Sequence, residues 1–257
     1  MGQAYTIVRD LDAARKFWTL MGGTPVKVGE IDAVKVPGIL VFMKKGEPSG
    51  GTIGTIVDHI GFHVPNGEEL VAKLRASGVK MDAIAGTKRK SSWGNVYSPD
   101  GVKVEILDSM SSTAAMGAPG IPAPSPLTGA ITTDHIHFFV PESSLAKIQA
   151  WYAKTLGATP FVDPVSVSPD PVRACNIPGM ELKFSKSSGS LAPTRGRALD
   201  HIGFEVRNLK AFCRKLEASG VKFDLAYSKS RYKRYASAEF TDTWGTSIEL
   251  TEGLNKF

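Results

Sequence analysis

The sequence has few cysteines and no long apolar run, and each shortage excludes a class of protein. Its two cysteines, Cys175 and Cys213, occur without a Cys-x-x-Cys pair, which argues against a disulfide scaffold and against a cysteine zinc site. No apolar stretch is long enough to span a bilayer, so we expect a soluble protein that makes no membrane contact. The default expectation is a cytoplasmic location, with a secreted or periplasmic one as the alternative if a leader has been removed.

Strong net charge is also lacking, since 31 Lys and Arg residues face 25 Asp and Glu residues, for a net charge of +6. This balance mildly favours an anionic small-molecule substrate, and it is too dispersed to indicate nucleic acid. Two basic runs, at residues 88–90 and 229–235, fall in predicted hairpin tips, where we expect a solvated rim. A monomer and a homodimer are both compatible with this composition.

Histidine is equally scarce, but its placement is informative. All five histidines lie in three copies of one short phrase, at residues Asp58–Val64, Asp134–Val140 and Asp200–Val206. Histidine is the commonest side-chain metal ligand and titrates nearest to neutral pH. A repeat that carries every histidine therefore indicates where reactive chemistry is located.

The phrase belongs to a longer internal repeat. Residues 57–82 and 199–224 align without a gap, and weaker copies begin at Gln3 and His135. Each copy has a short strand, an amphipathic helix and several β-like runs, of which the last are residues 38–43, 101–107, 179–184 and 245–251. The pattern predicts four βαβββ modules in an α+β fold.

A stretch of small residues, Pro and Gly at residues 109–129 predicts a linker. We therefore expect an N-terminal domain at residues 1–108, built from modules 1–46 and 52–108, and a C-terminal domain at residues 130–257, built from modules 130–190 and 196–257.

These modules resemble the vicinal oxygen chelate superfamily, which includes glyoxalase I, type I extradiol dioxygenases and the bleomycin-resistance proteins. The resemblance is carried by the H-x-x-x-x-V strand, by the aromatic pairs Phe17-Trp18 and Trp151-Tyr152, and by the closing G-x-x-x-E. It implies two cup-shaped, mostly antiparallel sheets with helices outside and metal ligands pointing inward.

Alternation along the strands turns His135, His201 and Glu249 toward the cup of the predicted C-terminal domain. Two histidines and one carboxylate on one face of an ion leave positions open for substrate or oxygen. The resemblance implies that these three residues match the ligands of the extradiol dioxygenases, and we expect the main metal site here.

The predicted N-terminal cup offers Gln3, His59 and Glu105, a weaker set that we expect to be degenerate. Glu181 is a candidate fourth ligand, which would favour glyoxalase-like chemistry. Lys183 occupies the same slot by register and is a candidate for binding an anionic substrate.

Other candidate residues follow from their positions near these sets. Proton transfer would fall to His137, Glu205 or Tyr235, and substrate binding to His63, Lys183 or Arg231. The aspartates that precede the histidines should point to the opposite face, where they would cap strand starts.

We therefore expect a metal-dependent enzyme with Fe(II) or Mn(II), and with Zn(II) or Ni(II) as alternatives, that chelates a small oxygen-rich substrate. Dioxygenase chemistry is favoured over a glyoxalase-like lyase or isomerase because the ligand set has two histidines. A metal-free binding protein that sequesters a small molecule, and a transferase resembling the fosfomycin-resistance enzymes, are the rival hypotheses.

Overall fold

The computed structural model describes residues 2–89, 92–108, 131–163, 171–229 and 234–257. These residues form fifteen strands and four α-helices, and the α+β fold predicted from the repeats is confirmed. None of the helices in the described part of the chain is long and apolar enough to cross a membrane. The predicted linker at 109–129 and the candidate Arg231 lie outside the described residues.

The strands follow the four modules in chain order. The first module contains β1 (Gly2–Val8), β2 (Thr24–Val28), β3 (Ile31–Val36) and β4 (Ile39–Lys45). The second contains β5 (Val57–Val64), β6 (Ser92–Tyr97) and β7 (Lys103–Asp108). The third contains β8 (Thr132–Val140), β9 (Thr159–Asp163), β10 (Val172–Ile177) and β11 (Met180–Lys186). The fourth contains β12 (Leu199–Glu205), β13 (Phe223–Ser228), β14 (Ala236–Thr241) and β15 (Ser247–Glu252).

One helix follows the first strand of each module. These are α1 (Leu11–Leu20), α2 (Gly67–Ala76), α3 (Leu145–Leu156) and α4 (Leu209–Ala218). Asn208 caps α4 by accepting a hydrogen bond from the backbone N–H of Ala211, and Gly220 follows the helix with a φ of 92°. A left-handed residue of this kind is typical of a helix end, and glycine adopts it without a Cβ clash.

The second module has one strand fewer than predicted. Where the fourth module forms β13, residues 82–87 form turns, in which the N–H of Ala85 donates to the carbonyl of Asp82 and that of Thr87 to Ile84. Met81 makes only an isolated bridge with Val96. Local turn hydrogen bonds have replaced a sheet ladder in this segment.

The modules pair across the linker. One sheet has the strand order β13-β14-β15-β12-β1-β4-β3-β2 and joins the fourth module to the first. The other has the order β6-β7-β5-β8-β11-β10-β9 and joins the second module to the third. The expected pairing of the first module with the second, and of the third with the fourth, differs from this arrangement, because β1 is hydrogen-bonded to β12 and β5 to β8.

The helix-facing sides of both sheets share one large apolar core. It includes the fully buried side chains Ile60, Phe62, Phe138, Phe184 and Phe240. Burying a side chain of this size stabilises the fold by roughly 1.5–3 kcal/mol. This core fixes which strand residues point outward to the helices, and so it also fixes which residues point into the cups.

The pairing across the linker predicts that the two halves of the chain cannot separate. A protease site placed within residues 109–130 should give two fragments that elute together, because cutting the chain leaves the β1–β12 and β5–β8 pairings in place. Size-exclusion chromatography before and after cleavage, with urea as the dissociating control, measures this. Elution of two independent fragments of about half the mass under native conditions would contradict the observed sheets.

Candidate metal centre

Each Asp-His pair lies at an irregularity in the sheet. Along β5, Val57 pairs with Phe138 and His59 with His137, so Asp58 is an extra residue between two successive pairs. Asp134 in β8 and Asp200 in β12 occupy the same kind of position. A β-bulge places two residues opposite one and thereby breaks strict alternation. The bulge is why these aspartates do not point away from the histidines, as alternation alone predicts.

Each aspartate instead contacts the histidine that follows it. The Nδ1 atoms of His59 and His201 lie 2.7 Å from the carboxylates of Asp58 and Asp200, and that of His135 lies 2.5 Å from Asp134. A carboxylate can only accept here, so each Nδ1 carries the hydrogen. The arrangement leaves every Nε2 free to point into a cup, which is how outer carboxylates orient metal-binding histidines.

The cup formed by the second and third modules brings three ligand atoms together. The Nε2 atoms of His59 and His135 are 3.2 Å apart. Glu105 Oε2 lies 3.4 Å from His59 Nε2 and 3.5 Å from His135 Nε2. These three atoms form a nearly equilateral triangle at the bottom of the cup.

This triangle fits a divalent metal ion. Two ligands about 2.1 Å from a metal are about 3.0 Å apart in octahedral geometry and about 3.4 Å apart in tetrahedral geometry. The observed edges of 3.2–3.5 Å are close to these values. His59, His135 and Glu105 can therefore occupy one face of a metal ion and leave the opposite face open.

Gly61 makes the triangle sterically feasible. It pairs with His135 across the β5–β8 ladder, and a Cβ at this position would lie 2.3 Å from Cε1 of the His135 ring. The missing side chain of Gly61 therefore makes room for the imidazole of His135.

Electrostatics prepares two of the three groups for a cation. Burial alone would raise the pKa of Glu105, but the imidazoles of His59 and His135 lower it to about 2. Burial and the positive charge of Lys183 lower the pKa of His135, so this ring stays neutral. Burial opposes a rise in the pKa of His59, but the carboxylates of Asp58 and Glu105 raise it. A metal would therefore displace a proton from His59.

His137 lies beside the triangle. Its ring centroid is 4.6 Å from that of His59, and its Nε2 is 2.8 Å from the hydroxyl of Ser185. One ring nitrogen of each of His59, His135 and His137 lies within 4.8 Å of the other two, so these three histidines could also hold a metal ion. Burial, together with the charge of His59, holds the pKa of His137 well below its usual value.

The position expected for a fourth ligand is occupied by Lys183, which forms salt bridges with neighbouring carboxylates. In the parallel pairing of β11 with β8, Glu181 lies opposite His135 and Lys183 opposite His137. Lys183 Nζ is 2.9 Å from Asp163 and 3.6 Å from Glu181, and these carboxylates with Asp134 raise its pKa despite burial. The candidate fourth ligand Glu181 is thus a neighbour of an ammonium group, and Lys183 faces protein carboxylates.

His63 lies behind the site. Its Nε2 is 2.5 Å from Asp134, the carboxylate that orients His135, and its Nδ1 is 3.0 Å from the carbonyl of Asp108. It was a candidate for substrate binding, but these contacts make it a support for Asp134.

A cavity of about 570 Å³ opens from the triangle. His59, Glu105 and His137 line it, together with Phe139 and Val172. This volume is in the range of sites that bind small molecules.

The second cup, formed by the first and fourth modules, holds the corresponding residues Gln3, His201 and Glu249. His201 Nε2 lies 3.7 Å from Glu249 Oε2, and the amide of Gln3 donates to the hydroxyl of Thr251 at 2.5 Å. His135 lies in the other sheet. The expected set of His135, His201 and Glu249 is therefore divided between two cups and cannot hold one ion.

Apolar side chains fill the space above His201. The ring of Tyr5 stacks on this imidazole with centroids 4.4 Å apart, and Phe42 and Leu254 are fully buried in the same cluster. Phe257 packs against that cluster, so the C-terminal residues cover this cup. Among the described residues, the cavity therefore adjoins the cup of the second and third modules, and apolar side chains cover this one.

Two candidate acid–base residues belong to this seal. Glu205 accepts hydrogen bonds from the N–H groups of Gly253 and Leu254 and from the hydroxyl of Thr251. Tyr235 is buried in the apolar cluster. Both lie in the sealed cup, and the structure does not bring either to the His59 triangle.

Sequence reasoning missed the orienting aspartates and the cavity-lining Asn95, Lys103, Phe139 and Arg173. The aspartates had a signal, because Asp precedes His in all three copies of the repeat. The cavity residues had none, since they come from strands that meet only in the folded sheet.

Comparisons with known proteins agree with this architecture. The family model described as Glyoxalase/Bleomycin resistance protein/Dioxygenase superfamily matches residues 132–250. Glyoxalase I from Zea mays superposes with a TM-score of 0.68 at 15% identity, covering 99% of this chain and 92% of that one. A "putative dioxygenase" from Bacillus subtilis superposes with a TM-score of 0.67 at 13% identity, covering 98% of this chain and 84% of that one. At these identities the similarity establishes the fold and not the reaction. A comparison with curated proteins found no match.

The environment of His201 predicts a pH-dependent stability. Burial would lower its pKa, but Asp200 and Glu249 raise it from 6.5 to about 9. Protonation therefore favours the folded state, and this contribution is complete below pH 6.5 and is lost as the pH rises to about 9. The loss is on the order of 3 kcal/mol.

Urea unfolding between pH 6 and 9.5 measures this effect. His201→Gln should flatten the decline in the free energy of unfolding. The control His137→Gln should keep the wild-type slope, because the pKa of His137 is lowered and its effect falls below pH 6.5. An unchanged slope in His201→Gln would show that this imidazole is not held protonated.

Proposed function

We propose that the protein is a metal-dependent enzyme with one working site, because residues 132–250 match the family model described as Glyoxalase/Bleomycin resistance protein/Dioxygenase superfamily and the whole chain superposes on glyoxalase I from Zea mays. That site is the cup in which His59, His135 and Glu105 converge. The observation that carries the proposal is the triangle of ligand atoms 3.2–3.5 Å apart. A small substrate with two neighbouring oxygens would enter through the adjoining cavity.

The ligand set supports Fe(II) or Mn(II), with Zn(II) or Ni(II) as alternatives. Two neutral imidazoles and one carboxylate on one face are typical of non-haem Fe(II) oxygenases. When bound, the ion would act as a Lewis acid toward the two substrate oxygens.

The protein's own residues would supply orientation and proton transfer. Asp58 and Asp134 hold the two imidazoles with Nε2 toward the ion. His137 is neutral and partly exposed at the cavity, so it can accept a proton from a substrate hydroxyl, and Ser185 holds its ring in place.

Dioxygenase chemistry is favoured over a glyoxalase-like lyase or isomerase. In the superfamily that these modules resemble, glyoxalase I enzymes add a carboxylate as a fourth ligand. Here the slot by register holds Lys183, which is paired with Asp163. Three protein ligands leave more positions open for a second reactant than four do.

A metal-free binding protein remains the rival. The second cup supports it, because that cup has kept His201 and Glu249 while apolar side chains fill the space above them. Metal content separates the two hypotheses.

We expect one metal ion per chain, held by the His59 cup. His59→Ala should weaken binding by more than the roughly 10- to 100-fold that loss of an outer partner costs, since it removes one of three ligands. His201→Ala is the matched control and should retain the metal. Metal analysis of tag-free protein and titration with Fe(II), Mn(II), Ni(II) and Zn(II) give the result. Absence of binding by the wild type would exclude the enzyme, and loss only in His201→Ala would move the site to the other cup.

Separate variants distinguish ligands from proton-transfer groups. Glu105→Gln should lose tight metal binding, because its carboxylate completes the triangle. His137→Gln should keep the metal and slow turnover by roughly 10²-fold or more, the usual contribution of a positioned acid–base group. Oxygen uptake by the Fe(II) protein with a panel of catechols provides the turnover assay. If Fe(II) binds but no catechol supports uptake, the lyase or isomerase hypothesis takes precedence.

A further inference from the structure

Lys103 places an ammonium group beside the triangle of ligand atoms. It lies in β7, where it pairs with His59 in the parallel register of β5 with β7, and it precedes Glu105 by two residues. Residues two apart on a strand point to the same face, so Lys103 faces the cup as Glu105 does. Both residues line the cavity, and the backbone N–H of Lys103 donates to the hydroxyl of Thr52 at 3.0 Å, which fixes the start of the strand.

The ammonium group contacts the aspartate that orients His59. Lys103 Nζ donates to Oδ1 of Asp58 at 2.7 Å, and His59 Nδ1 lies 2.7 Å from the same oxygen. In the described part of the chain, the Asp58 side chain receives hydrogen bonds from these two groups alone. Only 13% of that side chain is exposed, so a carboxylate that lost Lys103 would be left buried with one donor.

The cup of the first and fourth modules holds its aspartate in another way. There the residue two positions before Glu249 is Ser247, which is too short to replace an ammonium group. Asp200 instead accepts a hydrogen bond from the backbone N–H of Gly196 at 2.6 Å. A lysine at this position of the repeat is therefore a feature of the cup that adjoins the cavity.

The ammonium group has two effects of opposite sign on a cation in the triangle. Its positive charge repels the cation, and the water in the cavity and the adjacent carboxylate both weaken that repulsion. Its contact with Asp58 holds the carboxylate where it receives the Nδ1–H of His59, which keeps Nε2 directed at the triangle. Orientation is not screened by solvent, so we expect it to outweigh the repulsion.

We propose that Lys103 is a positioning residue of the metal site, which acts on His59 through Asp58. This inference rests on the proposed function and adds to it a residue that contacts none of the ligands directly. The chain of contacts runs from Lys103 Nζ through Asp58 Oδ1 to His59 Nδ1, and Nε2 of the same ring is the ligand atom.

Metal affinity measured in two backgrounds tests the proposal. Lys103→Met should weaken the binding of Mn(II) by roughly tenfold, the lower end of what loss of an outer partner costs. Lys103→Arg should restore the affinity, because it keeps a charged donor. In an Asp58→Ala background, Lys103→Met should cause no further weakening, since the contact through which it acts is already gone. Calorimetric titration with Mn(II) gives all four affinities.

Lys80→Met is the matched control for the loss of one positive charge. Lys80 is exposed, and its Nζ lies 5.3 Å from the ring centroid of Tyr97, the residue that pairs with Lys103 across β6 and β7. This variant should bind Mn(II) as the wild type does.

A second readout needs no metal. The Nδ1–H of His59 should give a far-downfield proton NMR signal in the metal-free protein, because it is hydrogen-bonded to a carboxylate. The signal is assigned by its absence in His59→Gln. It should be lost through exchange with water in Lys103→Met, and it should persist in Lys103→Arg and Lys80→Met.

Failure of this proposal can be distinguished from failure of the proposed function. Tighter Mn(II) binding by Lys103→Met, or an equal change in both backgrounds, would overturn the role of Lys103. If the wild type binds no metal, the proposed function fails, and the His59 signal still tests the contact chain. A signal that persists in Lys103→Met would then overturn the proposal. Lys103→Gln takes the place of Lys103→Met if the latter does not fold.

Discussion

The antiparallel pairing of β5 with β8 is the constraint on which the site depends. It places Gly61 opposite His135 and His59 opposite His137, across a boundary between modules that are separated by the linker in sequence. The imidazole of His135 occupies the space that a Cβ of residue 61 would need. Without this pairing, His59 and His135 would belong to different cups, and Glu105 would have only one imidazole beside it.

The β-bulges in β5, β8 and β12 orient the histidines. Strict alternation would turn Asp58, Asp134 and Asp200 toward the helices, where a carboxylate would be desolvated without a partner. The extra residue at each bulge turns the carboxylate back to the neighbouring Nδ1. One irregularity, repeated three times, thus sets both the orientation and the tautomer of each histidine.

The two cups are built from similar modules and differ in which side chains lie above the histidine. In the cup of the second and third modules, His137 pairs with Lys183, and a cavity opens beside His137. In the second cup the corresponding residue is Tyr5, which pairs with Phe42 and stacks on His201. Apolar residues of the C-terminal segment complete the seal, held by hydrogen bonds to Glu205. The second cup is thereby filled by apolar side chains, whereas the cavity lies beside the His59 triangle.

The sequence by itself determined the four repeated modules, the α+β fold and the residue types of the candidate ligands, because strand alternation, helix caps and the Asp-His phrase are local patterns. The prediction that Glu105 and Glu249 face inward agrees with the structure, because it depends on strand alternation, which is a local pattern. Only the tertiary structure decided which modules share a sheet, and so which histidines meet: Gln3 with His201, and His59 with His135. The first strand of each module makes this pairing, and three of these four strands carry the same Asp-His phrase, so no local pattern specifies a partner. That choice depends on the packing of the whole core and on contacts between residues far apart in the chain.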